Sequence, residues 1–177
     1  MKKETKYIDE KTGEIRHGRV QYIDAAFDEE KGYLFWNRKK FAKTFQDIDY
    51  PDDLSMIDRG RLATLAKKIY SNTNMLGYRG NGGVRPYDIE GIGRLVGLKR
   101  SQSYSFVNRM IEMRILKAVP VQFGDRTETQ YYMNPVYFFS SNRLSLNLYL
   151  LFREELDAVI PDWVKREFAA GGGSKHG

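Results

Sequence analysis

The chain has 177 residues, with 29 Lys and Arg against 23 Asp and Glu, a net charge of +6 and no cysteine. That length suits one well-packed domain with extensions rather than two ordinary domains, and the lack of cysteine excludes disulfides, thiolate metal sites and thiol nucleophiles. No apolar run approaches the roughly 20 residues that span a bilayer, and Met1, Lys2, Lys3 and Glu4 lead into polar sequence rather than a signal peptide, so a cytoplasmic protein with no membrane partner is expected.

Residues 1–19 read as an N-terminal arm in which Tyr7 to Ile15 surrounds a polar turn, Asp9 to Glu14. Within residues 20–54, Val20 to Ala26 and Tyr33 to Trp36 flank a second turn at Asp28 to Gly32, so two small β-hairpins are expected. Tyr33, Leu34, Phe35 and Trp36 are apolar on both faces, which predicts burial, and Phe41 and Phe45 follow at helical spacing. Beyond the break at Pro51, Ser55 and Asp58 have capping-box spacing. Leu62, Leu65, Ala66 and Ile69 then form the inward stripe of a helix reaching about Tyr70. Ser71 to Arg85 is dense in Asn and Gly and reads as a flexible loop; Gly80, Asn81, Gly82 and Gly83 lack the Gly-Lys-Ser/Thr of a phosphate loop, and Gly91, Gly93 and Gly97 miss the dinucleotide fingerprint.

The stretch from Pro86 to Pro135 is the most informative. Pro86 is expected to open a short helix with Asp88 in its first turn, Ile89, Ile92, Leu95 and Val96 on its inner face, and Gly97 at a sharp turn. A second helix from about Lys99 to Leu116 places Ser103, Phe106, Val107, Met110, Met113 and Leu116 inward. Its outward side chains are Lys99, Arg100, Ser101, Gln102, Tyr104, Ser105, Asn108 and Arg109. Arg pairs bidentately with guanine, Gln and Asn with adenine, and hydroxyl and cationic side chains hold phosphates, so this face has the chemistry of a DNA reader; a solvated helix face is the alternative. Lys117 to Phe123 and Thr129 to Met133 alternate as strands about a polar tip, Gly124 to Glu128, forming a hairpin or wing with Arg126 at its end. Arg126 and Arg85 are expected to touch DNA backbone or minor groove. Together residues 55–139 predict an α+β fold built on a winged helix-turn-helix.

Residues 140–168 read as a C-terminal helical extension. Leu144, Leu148, Leu151, Phe152, Leu156 and Val159 step along one helix, and Pro161 ends it. The face either covers its own core or, through Leu144, Leu148, Leu151 and Phe152, forms the interface of a homodimer on a two-fold site. Residues 169–177 read as a flexible tail. Charge is unevenly distributed: residues 72–117 contain eight basic and three acidic side chains, residues 146–168 three basic and five acidic. The basic excess lies on the candidate reader.

Only His17 and His176 occur, and no metal cluster, cofactor motif or Ser-His-Asp arrangement is evident. Asp52 with Asp53, and Glu154 with Glu155, are neighbours that diverge rather than converge on an ion. A binding protein without catalytic activity, metal or cofactor is expected.

The early hairpin with Ile8, Asp9, Thr12, Gly13 and Glu14, the central helices and the wing closing in Tyr131, Tyr132, Met133, Asn134 and Pro135 resemble the RepL-like replication proteins of Gram-positive plasmids and phages, over roughly Tyr7 to Phe139. The resemblance implies a winged helix that binds double-stranded DNA of a replicon and works with replication machinery. The residues themselves leave transcriptional control open, as they do a protein-interaction module working through the apolar C-terminal helix.

Overall fold

The computed structural model describes residues 2–8, 15–22, 27–28, 32–33, 41–70 and 72–172, with the backbone alone before residue 41 and at 171–172. The chain is an α+β protein in two compact units, Met1–Lys40 and Phe41–Gly177. In the first, β1 (Lys2–Ile8) and β2 (Ile15–Tyr22) form an antiparallel hairpin, and β3 (Phe27–Asp28) pairs with β4 (Gly32–Tyr33). The first expected hairpin is present; the second differs from its expected strands, since Phe27–Asp28 rather than Val20 to Ala26 pairs with β4, and Val20 to Tyr22 belong to β2. The expected burial of Leu34, Phe35 and Trp36 concerns residues outside those described.

The second unit opens without the helix that Phe41 and Phe45 suggest. Lys43 instead exchanges two backbone hydrogen bonds of 2.9 Å with Phe139, which satisfies extended chain and leaves both phenylalanines about half exposed. Helix α1 (Met56–Ala66) starts where expected, because the Ser55 hydroxyl accepts the Asp58 N–H at 3.2 Å. It ends before Tyr70, since Ile69 turns into a bridge with Leu76. Asn72 and Asn74 then take left-handed φ of 65° and 57°, a region Asn tolerates better than most residues. Residues 74–76 consequently run against a later strand, β8 (Arg126–Met133): Met75 bridges Tyr132, the Leu76 N–H donates to the Tyr131 carbonyl at 2.7 Å, and the Met133 N–H donates to the Asn74 carbonyl at 2.8 Å.

Within the segment expected to be a loop from Ser71 to Arg85, the chain from Gly77 on forms a third hairpin, β5 (Gly77–Gly80) with β6 (Gly83–Pro86). Its two-residue turn is Asn81 and Gly82, and Gly82 and Gly83 supply φ of 102° and 126°. Pro86 closes this strand rather than opening a helix. The helix α2 (Ile89–Leu95) is capped by Asp88, whose carboxylate accepts the Gly91 N–H at 2.6 Å. Gly97, at φ 72°, makes the expected sharp turn into α3 (Arg100–Glu112). The two helices cross at Gly93: a Cβ there would lie 1.7 Å from the Ser103 oxygen and 2.4 Å from its Cβ, so only glycine lets α3 approach.

Helix α3 stops short of Leu116 because Arg114 adopts φ 58° and Ile115 turns into the core, after which β7 (Leu116–Phe123) begins. Strands β7 and β8 pair along their whole length about a two-residue turn, Gly124 and Asp125. Gly124 holds φ 58°, as the first central position of a type II′ turn requires. Arg126 is therefore the first residue of a strand rather than part of a loose tip. Leu62, Leu65, Leu76, Ile92, Val107, Met110, Ile115, Leu116 and Met133 are almost fully buried together beneath α1, α2, α3 and this hairpin.

The C-terminal extension is not one helix. It consists of α4 (Leu146–Leu151), α5 (Arg153–Leu156) and α6 (Asp162–Gly172), with the first break at Phe152, where φ −122° and ψ 34° leave the helical region. Phe152 and Leu148 are 1% and 6% exposed, packed with Val136, Tyr149 and Leu156 and flanked by Leu144 and Leu151. Of the two readings of this face, the structure shows the packing of Leu148 and Phe152 in a second core of the chain itself. Helix α6 also carries the start of the expected tail, up to Gly172, and residues 173–177 lie outside those described.

Candidate nucleic-acid interface

Helix α3 presents two faces of opposite chemistry. Ser103, Phe106, Val107 and Met110 are buried, while Lys99, Arg100, Ser101, Gln102, Tyr104, Ser105, Asn108 and Arg109 are exposed, so the expected outward set is outward. From Arg100 to Arg109 this face contains no carboxylate. The side chains differ in how available they are. Gln102 caps its own helix, its amide oxygen accepting the Lys99 N–H at 3.1 Å, and the Ser105 hydroxyl donates to the Ser101 carbonyl at 3.3 Å. Arg100 lies 2.9 Å from Glu90 of α2, yet its side chain is 77% exposed and the pair is a weak surface contact. Asn108 and Tyr104 have no hydrogen-bond partner among the described residues.

Arg109 differs from the rest. It is bonded to the carboxylate of Asp58 on α1, a side chain only 2% exposed that also accepts from the Ser55 hydroxyl at 2.7 Å and from Arg61 at 2.8 Å. A buried carboxylate stripped of these donors would be costly, so Arg109 joins α3 to α1 before it can serve a ligand. Burial alone would push the Asp58 carboxyl up; the Ser55 hydroxyl, Arg61 and Arg109 outweigh it and hold the group below the usual carboxylate range. The folded pKa is thus below the unfolded one. The stability this contributes is present above the unfolded value, about 3.9, and is lost as pH falls through the lower folded value. Ser55→Ala removes one donor and the helix cap together. It is expected to cost about 1 kcal/mol near neutral pH and to move the acid-induced loss of stability to higher pH, as read from urea unfolding across the acidic range.

Alongside α3, a hollow of about 380 Å³ is lined by Arg61, Ser101, Gln102, Ser105 and Arg109, so α1 contributes a cation to this face that the sequence pattern did not single out. Arg85 and Arg126 are not beside it. They line a separate groove with Arg94, between the β5–β6 and β7–β8 hairpins. Beneath them, burial pushes the Tyr131 phenol up, and Tyr104 of α3 and Asp88 of the α2 cap add to the shift.

Among the described residues no group of three or more His, Asp or Glu is arranged to hold a metal ion. No helix among them is long and apolar enough to cross a membrane. No protein-family model, curated protein or solved structure matches the chain.

Proposed function

We propose that the chain is a winged-helix protein that binds double-stranded DNA, inserting α3 into the major groove with Arg100, Ser101, Gln102, Tyr104, Ser105 and Asn108 toward base edges and phosphates. The observation that carries this reading is the exposed face of α3, polar and basic and free of carboxylates from Arg100 to Arg109, set opposite a fully buried face. Two arrangements support it. The order α1, residues 74–76, the β5–β6 hairpin, α2, α3, β7, β8, with residues 74–76 pairing to β8, is compatible with a helix-turn-helix followed by a wing. Gly93 and Gly97 set the close crossing and the sharp turn between α2 and α3. Lys99 and Arg61 flank the reader as phosphate contacts, and Arg109 serves mainly as its anchor. Function is by occupancy: phosphate contacts set register, base contacts choose the site, and the outcome depends on what is recruited. The RepL-like resemblance of the early hairpin and the Asn134-Pro135 wing closure makes replicon DNA of a plasmid or phage the target we favour, over a promoter.

The test is selection from a random duplex pool at two salt concentrations, with the Arg100→Ala/Asn108→Ala variant beside the natural sequence. Enrichment of one motif is expected, with each lost base contact costing about 1–3 kcal/mol of affinity at that motif and an unchanged melting temperature, because both side chains face solvent. An inverted repeat would mean that two copies bind; a single half-site would mean one. Failure to enrich any motif would overturn the proposal.

A further inference from the structure

The groove between the hairpins has its own chemistry. It encloses about 1150 Å³ and is lined from three elements by Arg85 of β6, Arg94 of α2 and Arg126 of β8. Among the described residues none of these three has an acidic partner, whereas Arg61, Arg100, Arg109, Arg114 and Arg153 each pair with a carboxylate. Two carboxylates also line the groove. These are Asp88 and Glu128, and both keep their charge, so three cations face two anions. Interleaved with the arginines are aromatic rings: Phe123 is 52% exposed and Tyr78 43% exposed, on opposite hairpins, with Tyr87 tilted against Tyr78 at 5.0 Å between centroids. Large rings left open to water beside unpartnered guanidinium groups form a surface that lacks its complement.

A phosphate backbone answers the arginines. The rings call for flat faces to stack on, and a base offers its face only when it is out of a duplex. We infer that this groove holds a short stretch of single-stranded DNA, separate from the duplex site on α3. The inference shares the nucleic-acid reading of that site but uses different residues, so the two fail separately. Stacking on Phe123 and Tyr78 is sequence-tolerant, and the three arginines follow the backbone past them.

The experiment uses the full chain and two labelled probes followed by fluorescence anisotropy: an oligothymidylate of about 12 nucleotides, within the span of known single-strand sites, and a closed duplex hairpin. Tyr78→Ala/Phe123→Ala is expected to weaken single-strand binding about tenfold or more, with duplex binding changed less than about twofold, since stacking belongs to unpaired bases. Asn108→Ala is expected to do the reverse. Arg94→Gln, at an exposed position of α2, should weaken single-strand binding without touching the aromatic pair, and it decides the matter if the double variant melts early. Absence of single-strand binding by the natural sequence, or equal losses on both probes in the groove variants, would overturn the inference. Single-strand binding without duplex binding would instead leave the groove standing and refute the α3 proposal.

Discussion

Asn74→Ala is expected to lower stability by about 3–5 kcal/mol, a large part of what a domain of this size has, and its unfolding midpoint should fall accordingly. Asn74 is fully buried and uses its whole side chain. Its amide nitrogen donates to the Met133 carbonyl at 3.0 Å and the Phe138 carbonyl at 2.6 Å, while its oxygen accepts the Ser140 N–H and hydroxyl, each at 3.0 Å. The side chain thus ties the end of β8 to the chain that leaves it. Alanine would strand two buried carbonyls and a half-buried N–H, and would also sit badly at φ 57°. Asn74→Gly separates the two effects. Glycine accepts the backbone but supplies no amide, so it should recover only about 1–2 kcal/mol of the loss. A glycine variant as stable as the natural sequence would show that the left-handed backbone, and not the amide, is what the position requires.

Leu148→Asp should unfold the chain or cost more than about 4 kcal/mol, because it removes a leucine from a packed cluster and places a carboxylate among Val136, Tyr149, Phe152 and Leu156. Leu150→Asp, two residues away and 55% exposed, should change stability by less than about 0.5 kcal/mol. Denaturant unfolding and sedimentation of the two variants measure this. A Leu148→Asp protein that is folded and changed only in mass would restore the association face that the sequence pattern suggested.

These two predictions also mark where sequence was enough and where it was not. Local signals were legible: the Ser55 cap, the positive φ at Gly97, the alternation of β7 and β8, and the split of α3 into an apolar and a polar face all arise within a few residues. The β5–β6 hairpin was obscured by composition, since its strands are mostly glycine, arginine and tyrosine and lack the apolar alternation that marks strands, although Asn81-Gly82 is a hairpin signal in its own right. The helical period from Leu144 to Val159 gave the apolar face but not the break at Phe152, because periodicity reports which side is buried and not where the axis bends. The candidate site divides the same way. The outward residues of α3 could be read off directly, but the pairing of Arg109 with Asp58 joins positions 51 apart in sequence, and the gathering of Arg85, Arg94 and Arg126 depends on two hairpins facing each other.

The anchoring of α3 has a practical corollary. Asp58 and Arg109 tie it to α1, Gly93 and Ser103 fix its approach to α2, and Phe106, Val107 and Met110 seat it in the core. Ser101, Tyr104, Ser105 and Asn108 bear none of that load; their only side-chain hydrogen bond to a described residue runs within the helix. Side chains can therefore be changed there without rewriting the scaffold, so a combinatorial library over these four positions would vary the exposed face of α3 with folding held constant.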